Sequence, residues 1–267
     1  MQAPYLDSMW RALSRERLGS YRFRGDDDVG VVSTYLWNMA LSEALYPALH
    51  GLEVALRNSL FDAAQQRFAG ASHLHVPCWL DADPPILAPE ERSRVEAAKS
   101  ALRSRGKPLD APHLIAELTF GFWTALLDVR YEHRQVLWPH LLPAVFPAVP
   151  PQMRKRKTIS SRLNRVRLLR NRAFHHEPIW HWRDLEEQHA AAREVLEWIS
   201  PALAATLAPN DRFPRVLASG RHAFRDDVER VRCESDGVPA KVPVPMLVRV
   251  ARKRPGAEDA AFDGPPA

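Results

Sequence analysis

Apolar residues recur at intervals of three and four positions through most of this chain, and this spacing constrains its fold more than any other feature. The clearest case is segment 48–68, where one helical face collects Leu49, Leu52, Leu56, Leu60 and Ala63. The alternation typical of strands is weak, and the Asp-Gly pair that favours hairpins occurs only at Asp236 and Asp263. The pattern therefore predicts an all-α protein.

Start and stop signals divide this pattern into seven predicted helices. They cover residues 5–18, 33–46, 48–68, 90–105, 113–130, 152–176 and 183–199. Ser33 or Thr34 is expected to open the second helix, Pro47 to separate it from the third, and Asp184 to cap the last. Repeated prolines predict short turns over residues 131–151.

The C-terminal part of the chain differs in pattern from the rest. From Pro209 the helical periodicity fades, with one further possible element at 242–253 and an acidic, proline-rich end at 255–267. We therefore expect a helical domain over residues 1–208 and a partly irregular C-terminal appendage over residues 209–267.

Composition excludes several classes of protein. No run approaches 18 consecutive apolar residues, and the first thirty residues lack the apolar core of a secretory signal, so we expect neither a membrane-spanning helix nor export. The two cysteines, Cys78 and Cys233, are too few for a disulfide framework or a four-cysteine zinc site, and they favour a cytoplasmic protein. The sequence also lacks a glycine-rich phosphate loop and a G-x-S-x-G nucleophile motif.

Positive charge is concentrated in one segment. Residues 152–176 carry nine cations and no acid, so a chain of net charge +5 carries −4 outside this segment. A helix of this kind favours phosphate binding over a merely solvated surface, and it permits a nucleic acid partner. The nine cations are Arg154, Lys155, Arg156, Lys157, Arg162, Arg165, Arg167, Arg170 and Arg172.

Arg170 falls inside the apolar stripe of this basic helix when the residues are placed at 100° intervals. The stripe consists of Ile159, Leu163, Val166, Ala173 and Phe174. An arginine in such a position needs an acceptor, which is either a carboxylate of the same chain or a phosphate of a partner.

Asn171 and His175 lie one turn apart on the basic helix, and His176 follows directly. On a regular helix Arg170 and His175 diverge by about 140°. Because Pro178 disfavours helical geometry at the residue before it, we expect the helix to end near the histidines, whose side chains could then turn inward. The alternative is that two copies of the segment meet, with the arginine of one copy beside the histidine of the other.

Two further groups of residues bear on a possible site. Glu53 and Arg57 are spaced to form an ordinary helix ion pair, or Glu53 holds an active-site side chain in place and Arg57 adds a second cation. His73, His75 and Cys78 are metal-ligating types, but their spacing fits no zinc signature and a fourth ligand is not evident. We therefore expect no metal and no cofactor.

The run LRNRAFHHEPIW, Leu169–Trp180, at the end of a basic helix resembles the signature of the abortive-infection-like (Abi-like) proteins of the HEPN superfamily. The mark of that superfamily is an arginine, a polar residue and then a histidine after four to six intervening positions. Arg170, Asn171 and His175 match this mark with four intervening positions, and His176 would match it with five.

Two more stretches, Tyr35–Leu60 and Glu117–Leu127, are similar to this family, so the resemblance spans roughly residues 5–205. It implies an all-α, HEPN-type helical bundle with additional helices. It implies a homodimer in which the two motif helices face one another in a basic cleft. It also implies a metal-independent endoribonuclease of a bacterial phage-defence (abortive infection) or toxin–antitoxin system.

In such a site His175 would act as general acid or base, Arg170 would bind the phosphoryl oxygens, and Asn171 would orient His175 or donate to the phosphate. His176 is a second acid–base group or a structural histidine. The other cations of residues 152–176 would bind RNA. Two further functions stay open: a non-catalytic protein that binds a structured or antitoxin RNA, and a protein-interaction module that uses the aromatic run Phe120–Trp123.

Overall fold

The computed structural model of this chain describes residues 4–69, 78–82 and 85–237, and within these ranges it is all-α, as predicted, with no strand. Its α-helices are α1 (Tyr5–Leu13), α2 (Arg15–Gly19), α3 (Asp28–Ala69), α4 (Pro89–Ser104), α5 (Ala111–Glu117), α6 (Phe120–Ala125), α7 (Arg130–His133), α8 (Leu142–Val145), α9 (Arg156–Phe174), α10 (Leu185–Ile199), α11 (Pro201–Leu207), α12 (Phe213–Ser219) and α13 (Arg225–Asp236). Short 3₁₀ turns lie at Trp79–Asp81, Pro151–Met153, Ala208–Asn210 and Arg221–Phe224. No helix in the described ranges combines the length and the apolar character that crossing a bilayer requires.

The central helix, α3, runs without interruption for 42 residues, so the predicted break at Pro47 is wrong. A proline inside a helix removes one backbone hydrogen bond and costs about 3 kcal/mol. Burial of apolar surface on both sides of the proline offsets this cost, because Ala44, Leu45, Ala48 and Leu49 are all buried.

The start of α3 also differs from the prediction. Helix α3 begins at Asp28 because the side chain of the preceding Asp27 caps it, accepting a hydrogen bond from the backbone N–H of Gly30 at 2.8 Å. Ser33 and Thr34 therefore lie inside the helix. Their hydroxyls donate to backbone carbonyls four residues earlier, at 2.7 and 2.9 Å, and cap nothing.

The hydrophobic core surrounds α3, and α9, α10 and α11 pack against it. The predicted apolar face of segment 48–68 is buried throughout, which confirms the periodicity on which it rests. Gly51 marks the closest approach of α11, since a Cβ atom at this position would overlap the side chain of Leu207.

The remaining predicted helices are confirmed with small changes. Segment 90–105 corresponds to α4 and segment 183–199 to α10, while Ser14, with φ of 66°, divides segment 5–18 into α1 and α2. The proline-rich segment 131–151, predicted as short turns, contains turns and two four-residue helices, α7, which begins at Arg130, and α8. Asp184 does precede α10, but its side chain accepts from Gln188 Nε2 and not from a backbone N–H.

The predicted helix over 113–130 is two helices, α5 and α6. Thr119 separates them, because its backbone is extended and its hydroxyl accepts from the N–H of Phe122 at 3.3 Å, which starts a new helix. The aromatic run that follows belongs to the core: Phe120, Phe122 and Trp123 are each at most 2% exposed. The aromatic side chains of this run therefore offer no exposed surface to a protein partner, contrary to the hypothesis of a protein-interaction module that uses them.

The expectation of irregular structure after residue 208 is wrong for residues 213–236, which form α12 and α13 and pack against α3. Phe213 on α12 is fully buried and stacks on the ring of His189, with 4.4 Å between the ring centroids. Val228 on α13 is buried in a small apolar cluster with the first turns of α3.

An ion pair ties α13 to the start of α3. Arg225 donates from Nη1 and Nη2 to the two carboxylate oxygens of Asp27, at 3.0 and 2.6 Å. These bonds to Arg225 lower the pKa of the Asp27 carboxyl to about 2. The predicted element at 242–253 and the acidic end at 255–267 lie outside the described residues.

Candidate functional site

The basic helix α9 ends at the predicted histidines, in a Schellman turn. The N–H of Glu177 donates to the carbonyl of Arg172 at 2.9 Å, and the N–H of His176 donates to that of Ala173 at 3.2 Å. His176 takes the left-handed conformation of this motif, with φ of 59°, where glycine is the usual residue. Its side chain and that of His175 are exposed, so neither histidine turns inward.

Helix α2 holds this turn in place. A guanidinium nitrogen of Arg17, Nη2, donates to the backbone carbonyl of His176. The backbone of His176 thus has a clear structural task, since it carries the left-handed turn and the contact to α2. Its imidazole remains exposed beside that of His175.

Arg170 is ion-paired with Glu53 of the central helix. Its Nε and Nη2 both lie 3.3 Å from Glu53 Oε2, and its guanidinium carbon lies 4.7 Å from the ring centre of Phe174. The two charged side chains are 26% and 22% exposed, so the pair is partly open to solvent. Of the two acceptors expected for Arg170, the structure contains the internal carboxylate, and one side of the guanidinium remains for another ligand.

Glu53 and Arg57 do not form the predicted ion pair within the described part of the chain, because Glu53 reaches across to Arg170 instead. Arg57 lies one turn further along α3, and its Nε is buried without a hydrogen-bond partner among the described residues. The hypothesis that Glu53 positions a cation of the site is consistent with this contact. A phosphate-binding role for Arg57 stays a prediction.

Three aromatic side chains lie beside this ion pair, and the sequence pattern pointed to neither Tyr46 nor His50. Tyr46 stacks on Phe174 with 6.0 Å between the ring centroids and on His50 with 5.3 Å, at interplanar angles of 29° and 13°. Phe174 is 39% exposed, which corrects its predicted place in the buried stripe. A signal was present, because Tyr46, His50 and Glu53 recur at helical spacing on the face of α3 that borders its leucine stripe.

Arg170 and His175 leave α9 in different directions, as their spacing predicts. Arg170 faces α3, whereas His175 is exposed at the end of the helix, and no hydrogen bond or ring contact joins the two side chains among the described residues. Asn171 lies between them and is half-buried. One chain therefore places the arginine and the histidine at the same end of α9 without bringing them into contact.

Most cations of the basic segment are neutralised by acids, which the sequence pattern did not reveal. Arg162 pairs with Glu194, Arg165 with Asp184, Arg170 with Glu53 and Arg172 with Glu177, at 2.7 to 3.3 Å. Four cations have no acidic partner among the described residues and are the strongest candidates to bind phosphate. They are Arg154, Lys155, Lys157 and Arg167.

Arg156 is buried, and this corrects its predicted role in binding RNA. Its side chain is 8% exposed, its Nε donates to Glu132 Oε2 at 2.7 Å, and its Nη1 donates to the carbonyl of Leu127 at 2.8 Å. Every contact of this arginine that the structure shows is internal, so it anchors the start of α9 to the α6–α7 region.

His181, five positions after His176, is a histidine of this segment with a shifted pKa. Burial and the nearby Arg172 guanidinium lower the pKa of His181. No group of three or more His, Cys, Asp or Glu side chains in the described ranges is placed to hold a metal ion. Of the three metal-ligating residues noted in the sequence, two, His73 and His75, lie outside the described residues.

Comparison of the chain with protein-family models, with curated proteins and with solved structures gives no match in any of the three.

Proposed function

We propose that this protein is a cytoplasmic, metal-independent endoribonuclease of the Abi-like HEPN type, acting in phage defence or in a toxin–antitoxin system. The observation that carries the proposal is the end of α9, where the Arg170–Glu53 pair lies beside an exposed histidine turn on a helix with unpaired cations. An imidazole that exchanges protons and a cation that stabilises the phosphoryl oxygens are the groups that cleavage of RNA at its own 2′-hydroxyl uses.

In the proposed reaction His175 removes the proton of the 2′-hydroxyl, and the 2′ oxygen attacks the adjacent phosphorus. The bond from phosphorus to the 5′ oxygen breaks, and a protonated imidazole supplies a proton to that leaving oxygen. The products are a 2′,3′-cyclic phosphate and a 5′-hydroxyl. Arg170 stabilises the charge that builds on the phosphoryl oxygens, and Asn171 orients His175 or donates to the phosphate.

The second imidazole of this reaction is His176 of the same chain or His175 of a second copy. A homodimer satisfies the geometry well, because Arg170 and His175 of one chain diverge and a partner would bring each opposite its counterpart. Glu53 acts as a positioning residue, since it fixes the guanidinium of Arg170 without touching substrate.

A second candidate function is non-catalytic binding of a structured or antitoxin RNA. The Arg170–Glu53 pair favours it, because a carboxylate already occupies two nitrogens of the guanidinium that would bind the phosphate. Binding through Arg154, Lys155, Lys157 and Arg167 would then proceed without cleavage.

The test uses wild type, His175→Ala and His140→Ala, each incubated with mixed cellular RNA in EDTA. His140 is an exposed histidine outside α9, 35 positions before His175, and serves as the matched control. We expect wild type and His140→Ala to cut RNA, with cyclic phosphate ends, and His175→Ala to be slower by about 100-fold or more. RNA that is bound by wild type but left intact would favour the non-catalytic function, and cleavage that needs added metal would contradict both.

A further inference from the structure

We propose that a recess on the α10 side of α9 binds one unpaired nucleobase of single-stranded RNA, and this rests on the proposed function. The recess has a volume of about 460 Å³. It is lined by Arg165, Leu168, Trp182, Arg183, Asp184 and Gln188. These side chains combine an aromatic ring, an aliphatic surface, an amide, a carboxylate and two guanidiniums, which together match the face, the edge and the phosphate of a nucleotide.

The apolar part of the recess matches the face of a base. Trp182 is half-buried, and the guanidinium carbon of Arg172 lies 5.2 Å from the centre of its ring. Leu168 is 54% exposed, which is unusual for a leucine in the middle of a cationic helix. Stacking on an aromatic ring beside aliphatic surface is the general way in which proteins hold unpaired bases.

The polar part of the recess favours a base that carries hydrogen-bond donors on its edge. Gln188 is 5% exposed, and its Nε2 donates to Asp184 Oδ1 at 3.0 Å, which fixes the orientation of the amide. Its Oε1 is buried and has no donor among the described residues. An exocyclic amino group, which adenine and cytosine carry and uracil lacks, would supply that missing donor from the edge of the base, so adenine and cytosine fit the recess better than uracil.

The charges at the rim favour a nucleotide over an apolar partner. Arg183 is exposed and has no acidic partner within the described residues, and Arg165 is held at the rim by Asp184 at 2.8 Å. A second copy of this chain would have to cover the Arg183 guanidinium with an acid, whereas a phosphate of the RNA backbone pairs with it directly.

The recess lies close enough to the proposed catalytic turn to hold a neighbouring nucleotide of the same strand. Leu168 precedes His175 by two turns of α9, about 10 Å along the helix axis. Arg172 belongs to both regions, because it covers the ring of Trp182 and pairs with Glu177 in the turn. A base bound in the recess would therefore set which phosphate reaches His175, whereas Arg170 of the same chain faces α3 on the other side of α9.

The test is equilibrium binding of fluorescent 2′-O-methyl hexanucleotides of adenine, cytosine or uracil, which the proposed reaction cannot cleave because the nucleophile is blocked. Trp182→Leu removes the ring and Trp182→Phe keeps an aromatic face. Leu168→Ala shortens the aliphatic surface, and Leu109→Ala, at another exposed leucine, is the matched control. Circular dichroism establishes that each variant is folded.

We expect wild type to bind the adenine and cytosine oligomers more tightly than the uracil oligomer, and Trp182→Leu to weaken adenine binding by about 10- to 100-fold. Trp182→Phe recovers most of that loss, Leu168→Ala loses severalfold, and Leu109→Ala binds like wild type. If Trp182→Leu does not fold, Leu168→Ala still decides the question, because it then has to bind adenine more weakly than Leu109→Ala.

Equal affinity of wild type and the recess variants, or no binding by wild type, would overturn the proposal. A change of oligomeric state in Trp182→Leu without a change in RNA affinity would also overturn it, because it would assign the recess to a second copy. The recess and the proposed catalysis can fail separately. If RNA binds through Trp182 but is never cut, the recess is supported and the catalysis is contradicted. If His175→Ala loses cleavage while Trp182→Leu keeps its RNA affinity, the catalysis is supported and the recess is contradicted.

Discussion

The contact between Arg170 and Glu53 changes how the position of Arg170 in the apolar stripe is interpreted. An arginine in an apolar stripe would be costly without an acceptor, and Glu53 supplies one at 3.3 Å while leaving the pair partly exposed. The guanidinium is therefore held in one place before any substrate arrives. Such preorganisation is valuable where charge develops during a reaction.

Replacement of Glu53 by glutamine tests this positioning role. We expect Glu53→Gln to lower kcat for RNA cleavage by about tenfold, because the guanidinium of Arg170 loses its charged anchor and samples other directions. KM should stay equal or fall, since the substitution removes a negative charge from beside the phosphate. Steady-state kinetics on a defined RNA measures both constants.

The control for this experiment is Glu43→Gln, which removes another glutamate of α3 that pairs with an arginine, Arg212, away from the proposed site. That variant should keep both constants. A higher KM with unchanged kcat in Glu53→Gln would show that Glu53 supports binding in general and not the position of Arg170.

At this scale the sequence identified which residue types matter but not where their side chains point. Placement of the α9 residues at 100° intervals put Phe174 in the buried stripe. Phe174 lies at the edge of that stripe, in the last turn of α9, where Tyr46 covers only part of its side chain. The left-handed conformation of His176 was equally hidden, because the helix ending is fixed by the contact from Arg17 as well as by Pro178.

Helix α9 shows that a run of cations along a sequence is not the same as a cationic surface. Neighbouring elements supply carboxylates to several of its arginines, and Arg156 is buried as an anchor. A count of the charges in this segment does not reveal these ion pairs, since the acids come from positions distant in sequence. The unpaired cations, led by Lys155 and Lys157 at the start of the helix, define the surface that remains.

Salt dependence of RNA binding measures that surface. A double variant, Lys155→Gln with Lys157→Gln, should reduce the slope of log affinity against log salt by about 1.4, which corresponds to two lost phosphate contacts on single-stranded RNA. The readout is anisotropy of a labelled oligonucleotide at several salt concentrations. Arg103→Gln with Lys107→Gln removes two exposed cations elsewhere and should leave the slope unchanged. Equal slopes for all three proteins would place RNA on another face.

Element boundaries were predicted well where packing agrees with local preference and poorly where packing overrides it. Helix α4 begins at a proline in its first turn and ends within a residue of its predicted limit. Helix α3 continues through Pro47 because core contacts on both sides outweigh one lost hydrogen bond. Helix α13 was not predicted, because its composition is polar. A single buried valine, Val228, and the Arg225–Asp27 ion pair attach it to α3.

At the scale of the whole molecule, the described helices are arranged around α3, so the two ends of the described chain meet on it. Helices α12 and α13 cover its N-terminal half, and α9 lies beside the half that carries Glu53. The expected appendage after residue 208 is thus continuous with the bundle as far as residue 236. The helical class was predictable from periodicity alone, whereas these long-range contacts depend on pairings that no local pattern specifies.

The divergence of Arg170 and His175 bears directly on the proposed homodimer. Arg170 is held against α3 by Glu53, whereas His175 is exposed at the end of α9. Two copies related by a twofold axis that passes near the end of α9 would place the arginine of one opposite the histidine of the other. A proposed active site shared in this way has a distinctive genetic signature.

Co-expression of two inactive variants tests the shared site. Arg170→Ala and His175→Ala should each be inactive alone, but half of the randomly paired dimers contain both variants, and each of these has one intact site formed by the unchanged residues. We expect the mixture to regain about a quarter of wild-type cleavage, measured on one defined RNA at matched protein concentration.

The control mixes either variant with His140→Ala, which reports ordinary dilution. If the two inactive variants stay inactive together while still forming mixed dimers, Arg170 and His175 act within one chain, and the turn at the end of α9 must then move to bring them together.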